Sequence, residues 1–432
     1  MSSHVTKSLP FLVSPSAATP AGTLRLTSMD SALASLPMAA LLIFEHPIDQ
    51  PAKTIRQSMS QALVPYYPFA GRLITSGPAH GLKIACSGEG VAFVNASANC
   101  TLHDARLSGP APAIPVEDLT VTYAGHYRNS NRPPLLLMQV TEFSCGGYVV
   151  GVTWNHVIAD GVGMAQFLQA VGDFARWGLS SPAVAPVRVD HALPELPPPI
   201  IAMSKSLVRS NHNDFPSSYI TVPMSFVNRI KAEFRRRQKA ASPATCTAFD
   251  VFVAAIWKCR ARATLPSAGA GAGQDDVPTA LAFTVNLRKQ AGAKDGYYGN
   301  VFAFGLAVST VGEVEDADIL DLVRLIRDAK ARVPYTFVDG AACVGEEMGG
   351  RLRGLNGYDT LYVTSWWNLG LDDVDFGSGG PARVMGDMER KVVPACILCG
   401  KKDRADDGVA AMALCVRQEH AEAFHAELRR LQ

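Results

Sequence analysis

Apolar positions along the chain follow two periods in succession. Tyr148, Val150, Val152 and Trp154 recur every second residue, interleaved with Val149, Gly151 and Thr153, so 147–155 reads as a strand with side chains on both faces. Directly after it, Met164, Phe167, Leu168, Val171 and Phe174 fall at helical spacing and predict a helix over 161–177. The same reading gives an amphipathic helix over 54–63, stopped by Pro65. A second helix, 247–262, is opened by Thr247 with Asp250 three residues on, the spacing of a capping box. Strands are predicted over 281–285, 301–308 and 392–399, and a helix over 316–331.

Breaks in this pattern divide the chain. Pro182, Pro186, Pro194 and Pro197 to Pro199 crowd 181–200, which can continue neither a helix nor a central strand and reads as an extended linker. Residues 267–273 (SAGAGAG) are a low-complexity loop; no Lys-Ser/Thr follows them as a phosphate loop requires. The expectation is an α/β protein of two domains, 1–180 and 216–432, joined by a crossover at 181–215.

Composition narrows the function classes. The 432 residues are 48% hydrophobic and 18% charged, a folding composition. Forty Lys+Arg against 39 Asp+Glu leave +1, so no concentrated basic field points to nucleic acid or to an anionic membrane. The longest apolar run, 38–44, falls far short of the ~20 residues that span a bilayer. The polar start shows no secretory signal, and a cytoplasmic protein is expected. Nine Cys agree with that compartment. Cys396 and Cys399 make one CxxC, but on a strand they point to opposite faces, and no second pair or nearby His completes a zinc set. No metal is expected.

The chemistry-bearing stretch is Trp154-Asn-His-Val-Ile-Ala-Asp-Gly161. His156 leaves a strand just before a helix begins, where a rigid sheet can hold its ring toward a cleft. Imidazole suits general-base work near neutral pH because its unperturbed pKa is about 6.5. Asp160 could orient that ring or brace the turn, and Gly161 would ease it. Spacing alone leaves a catalytic pair and a satisfied structural pair equally open.

HxxxDG between a strand and a helix resembles the plant acyl-CoA-dependent acyltransferases called the BAHD family. That family's second signature, DFGWG, stands here as Asp375-Phe-Gly-Ser-Gly379. Leu26-Thr-Ser-Met-Asp30, the stretch LVPYYPFAGRL at 63–73, Val285-Asn-Leu-Arg288, Tyr297-Tyr-Gly-Asn300 and Val363-Thr-Ser-Trp366 follow in the family's order over the whole chain.

The resemblance implies two chloramphenicol-acetyltransferase-like domains of mixed sheet and helices with a solvent channel between them, His156 at its middle. His156 would take the proton of the acceptor's hydroxyl or amine during attack on the thioester, then protonate the departing thiolate, with no acyl-enzyme. Asp160 would be a strut paired with Arg288 rather than a proton relay. Thr364 and Trp366 match the positions of oxyanion donors. Asp375 belongs to a motif that holds architecture and influences CoA binding; Ser378 replaces its Trp. Cys246-Thr247 matches a position on the CoA side, so Thr247 and Arg288 are the candidate co-substrate contacts. The basic stretch Arg229, Lys231, Arg235, Arg236, Arg237 and Lys239 reads as a solvated helix face. The expected enzyme is a monomer that needs no cofactor beyond acyl-CoA as co-substrate, with a small-molecule alcohol or amine as acceptor. Tyr297–Val301 lacks the Phe-Gly-Asn-Cys variant linked to malonyl transfer. The rivals are a condensation domain, which would need carrier partners, and a non-catalytic binding member, which would be indifferent to His156.

Overall fold

In the computed structural model the described residues are 3–34, 36–75, 81–107, 112–178, 181–195, 215–237, 245–264, 277–338, 357–389, 393–399 and 408–432. They form two compact units, each discontinuous in sequence. The first comprises Met1–Glu195, Gly292–Val301 and Trp366–Arg390; the second takes Leu196–Ala291, Phe302–Ser365 and Lys391–Gln432.

The first unit is built on a seven-stranded sheet. Its order is Val5–Lys7, Val91–Ala98, Leu136–Phe143, Tyr148–Asn155, Pro37–Phe44 and Arg383–Asp387, with Phe11–Val13 also paired to Val91–Ala98. Tyr148–Asn155 is central, antiparallel to both neighbours, and buried along its length up to Asn155. Both faces of this period-two strand are covered, so even Thr153 is buried. Gly161–Trp177 forms the helix expected from its spacing. The amphipathic helix begins earlier than expected, at Pro51, because proline is tolerated in a first helical turn. Leu24, Ile84 and Cys86 are buried in a smaller three-stranded sheet of Gly22–Arg25, Leu82–Cys86 and Arg72–Thr75.

The second unit carries a six-stranded mixed sheet, ordered Ser218–Val222, Val409–Leu414, Ala395–Leu398, Thr360–Ser365, Pro278–Asn286 and Phe302–Thr310. Thr360–Ser365 runs parallel to both neighbours. The helix Ala248–Thr264 opens with the expected reciprocal cap: Thr247 N–H donates to Asp250 Oδ2 at 2.8 Å and Asp250 N–H to Thr247 Oγ1 at 3.2 Å. The helix expected at 316–331 starts at Ile319 and runs to Val338, and a separate short helix, Val311–Asp316, opened by its own Thr310–Glu313 box, precedes it. Cys396 and Cys399 are both buried.

Two departures from the sequence reading concern organisation. The domains expected at 1–180 and 216–432 are contiguous, whereas the first unit takes back two later segments. Strand Arg383–Asp387 does so by pairing with Pro37–Phe44, so the Asp375–Gly379 motif belongs to the first unit. The described part of the linker is docked rather than free: Val187 bridges to Tyr297, and the Arg188 side chain is only 4% exposed. The loop 267–273 and linker residues 196–214 lie outside the described residues.

Candidate active site

His156 follows the end of the central strand, and its loop is pinned on every side. Its N–H donates to Leu36 O at 3.0 Å; Val157 N–H donates to Asn155 Oδ1 at 3.1 Å and Ile158 N–H to Asn155 O at 3.1 Å. Trp154 Nε1 donates to Ala159 O at 3.0 Å from inside the core. Val157, Ile158 and Ala159 are fully buried, while His156 keeps partial exposure. A ring so mounted moves little, which a general base requires.

Asp160 is 5% exposed and caps the following helix, its Oδ1 accepting from Gly163 N at 3.0 Å. Its Oδ2 accepts from Val301 N at 3.2 Å. Both bonds are those of a brace, which ties the loop to residues that arrive 141 positions later. Gly161 does not have the left-handed backbone that would make glycine necessary for the turn. The constraint there is crowding, since a Cβ would meet Leu369 Cδ1 at 2.5 Å.

The ring's own partner is a residue to which sequence reasoning assigned no role. His156 Nδ1 lies 2.8 Å from Asn300 Oδ1. Both hydrogens of the Asn300 amide are already directed, to Asp30 Oδ1 at 2.8 Å and to His156 O at 2.8 Å. The oxygen therefore faces the ring, and an amide oxygen only accepts. Nδ1 must carry the hydrogen, which leaves the lone pair on Nε2. Behind Asn300, Asp30 is fully buried and ion-paired with Arg188 at 2.9 Å. The signal in the sequence was Asp30 and Asn300 closing two of the ordered motifs; nothing local marked Arg188.

Burial pushes the His156 imidazole below its ordinary 6.5, against Asp160, the Asn300 bond and Asp30, all of which raise it. A lowered value keeps the imidazole neutral, hence able to accept a proton, at neutral pH.

Trp366 is 6% exposed and packs on Trp154 with ring centroids 6.3 Å apart. The adjacent Trp367 buries its Nε1 with no acceptor. Thr364 belongs to the second unit, where its hydroxyl lies 3.0 Å from that of Thr284. Asp375 organises its own loop, Oδ1 accepting from Gly377 N at 2.7 Å and Gly379 N at 2.9 Å, while Oδ2 pairs with Arg176 at 3.1 Å. Ser378 Oγ lies 3.0 Å from Tyr148 OH, and Tyr148 stacks on Phe44, which also meets Phe376. A polar bond onto an aromatic cluster thus occupies the place of the family's Trp. In the second unit, Arg288 is half-buried with its N–H on Asn286 Oδ1, and Thr247 is exposed at its helix start. The basic helix face is solvated: Arg237 pairs with Glu233 and Asp318, and Arg236 with Glu233. Lys239 lies outside the described residues. Among the described residues no helix is long and apolar enough to cross a membrane, and no group of three His, Cys, Asp or Glu is placed to hold a metal.

Comparison with known proteins agrees along the whole chain. The model of the Transferase family matches residues 3–431. Acyl transferase 15 of Oryza sativa subsp. japonica is 39% identical over 100% of this chain and 99% of its own length. Myricetin 3-O-glucosyl 1,2-rhamnoside 6'-O-caffeoyltransferase AT1 of Crocosmia x crocosmiiflora is 31% identical over 99% of each. The crystal structure of vinorine synthase superposes with a TM-score of 0.73 over 99% of this chain and 98% of that one, at 22% identity, a likeness of fold. Matched from end to end by that family and by relatives above 30% identity, this chain belongs to the BAHD family of plant acyl-CoA-dependent acyltransferases.

Proposed function

We propose that this protein transfers an acyl group from its CoA thioester to the hydroxyl of a small specialised metabolite, in a ternary complex without an acyl-enzyme. The observation that carries the reading is the Asn300 tether on His156 Nδ1, which leaves Nε2 as the basic nitrogen. His156 Nε2 takes the hydroxyl proton as the oxygen attacks the thioester carbonyl. The C–O bond forms, the carbonyl electrons move onto oxygen, and the tetrahedral oxyanion then expels the CoA thiolate. The imidazolium returns the proton to that thiolate, so the products are ester and free CoA. Proton transfer of this kind contributes ~10²–10⁴-fold.

In this reading Thr364 and Trp366 donate to the oxyanion, a service worth roughly 10²–10³ per donor. Arg288 is the partner of Asp160, and Thr247 and Arg288 are the CoA-side contacts; Arg288→Met should raise KM for acyl-CoA. The acyl group is aromatic, hydroxycinnamoyl or benzoyl, with acetyl the second choice; the full-length likeness to a protein named for caffeoyl transfer onto oxygen favours this donor class. An amine acceptor is the alternative.

The test is free-CoA release from acetyl-, benzoyl-, p-coumaroyl- and malonyl-CoA against pooled alcohols and amines, with His156→Ala in parallel. Release that requires an acceptor and vanishes in the variant supports the reading, and the responding pool decides oxygen against nitrogen. Acyl-CoA binding without turnover in any pool would point to an acceptor outside the panel, and silence without acyl-CoA binding would leave a non-catalytic member of the fold.

A further inference from the structure

Asp30 and Arg188 make an ion pair in the core, the carboxylate 0% and the guanidinium 4% exposed. Asp30 has every acceptor position filled. Its Oδ2 takes Arg188 Nη2 at 2.9 Å and Thr27 N at 3.1 Å; its Oδ1 takes Asn300 Nδ2 at 2.8 Å and Asn300 N at 3.2 Å. Arg188 also reaches Val157 O at 3.3 Å, in the loop next to the histidine, and lies over the Tyr298 ring at 5.9 Å. A helix cap needs only Asp30 and Thr27. Burying two charges is costly compared with apolar packing of the same volume. Here the charges stand one amide away from the imidazole. A carboxylate that takes one hydrogen of an amide, while a main-chain carbonyl takes the other, fixes the amide's orientation and polarises its oxygen, and a polarised oxygen holds an N–H more firmly.

We propose that Asp30 and Arg188 are positioning residues for His156: through Asn300 the buried pair fixes the Nδ1–H tautomer and steadies the charge of the imidazolium formed during transfer. This rests on the reading of His156 as the base. It also makes the docked crossover part of the catalytic apparatus, because Arg188 is supplied by it. The groups that act on the ring are Asp160 from its own loop, Asp30 from the helix Ser28–Ala32, and Asn300 from the returning segment; Arg188, with Tyr297 and Tyr298 around it, balances Asp30. With the Asp30 charge removed, the imidazolium loses support, so the acid limb of the rate profile moves to lower pH and the weaker base turns over more slowly.

The experiment uses the full chain as wild type, Asp30→Asn, Asn300→Ala, His156→Ala and the double variant Asp30→Asn/Arg188→Met, which removes both charges together. Nitrogen-15 NMR on histidine-labelled protein, with the His156 signals assigned by their loss in His156→Ala, reads the tautomer without substrate. Kinetics against pH, with the responding acyl-CoA and acceptor, read the base. Wild type should show hydrogen on Nδ1, and Asn300→Ala a mixture of tautomers. Asp30→Asn and the double variant should lose about ten- to a hundredfold in kcat, short of the ~10²–10⁴ of losing the base. Their KM for acyl-CoA should stay within about twofold while the acid limb moves down. A folded double variant with the wild-type tautomer and wild-type pH profile would overturn the proposal and leave the pair a structural one. Should Asp30→Asn fail to fold, the double variant decides; should both fail, the tautomer and acid limb of Asn300→Ala decide, and an unchanged result there overturns the role. Activity surviving in His156→Ala would instead defeat the reading of the base, while the tautomer measurement would still score the network.

Discussion

Two aspartates, Asp160 and Asp375, begin from the same local device and end in different roles. Each carboxylate gathers backbone N–H groups at a loop: Gly163 and Val301 for Asp160, Gly377 and Gly379 for Asp375. Both tie the loop to the helix Gly161–Trp177, Asp160 by capping its start and Asp375 through Arg176. The difference lies in what the braced loop carries. Around Asp160 it carries an imidazole, set against a buried amide and a buried ion pair. Around Asp375 it carries Phe376 and Ser378, set against Phe44 and Tyr148. A carboxylate that collects amides builds rigidity in both places, but only one of the two rigid loops presents an imidazole.

The sharpest way to break this comparison is at the base. His156→Ala should cost ~10²–10⁴ in kcat with the melting temperature unchanged, read by CoA release and calorimetry. Activity that survived would return the two regions to the same status. Trp366→Phe, which keeps the packing on Trp154, should lower kcat about tenfold or more and leave KM for acyl-CoA in place; a change in KM alone would remove it from oxyanion duty. Trp367→Phe beside it identifies which indole donates, since the Trp367 N–H is the one buried without an acceptor. Asp160→Ala should lose both activity and about 2–4 kcal/mol of stability, from a lost cap and a stranded Val301 N–H, measured by urea unfolding. Asp375→Ala should cost about 1–2 kcal/mol and leave kcat nearly intact, the contrast on which the comparison depends. Ser378→Ala, which strands only the Tyr148 hydroxyl, should cost about 1 kcal/mol.

Acidity sharpens it further. Because burial lowers the His156 pKa, the neutral imidazole persists to lower pH than a free histidine allows. The acid limb of kcat/KM should therefore inflect below 6.5 in wild type, followed by initial rates across pH. An inflection above 6.5 would mean that Asp160 and Asp30 outweigh burial.

Much of the fold was legible from periodicity. The strand that ends at Asn155 and the helix Gly161–Trp177 stand where alternation and 3.6-residue spacing put them, because one buried strand and one amphipathic helix each carry their own pattern. Thr247 and Asp250 formed the expected box because a cap is settled within four residues. The helix expected from Asp316 starts only at Ile319, where Asp318 Oδ1 accepts from Leu320 N at 2.9 Å, because a helix period does not register where the first turn is capped.

The sequence by itself determined the candidate base, the loop that holds it, the absence of any strongly basic field and, through ordered motifs, the family. It did not determine that Asp30, Arg188 and Asn300 meet beside His156. Those residues stand 158 and 270 positions apart, and no local period links them. Their meeting depends on a docked crossover and on a segment, Gly292–Val301, that returns to the first unit, and each is fixed by packing between distant elements. Hydrogen bonds and ion pairs form between neighbours in space, so the choice of basic nitrogen on His156 was decided only when the chain closed on itself.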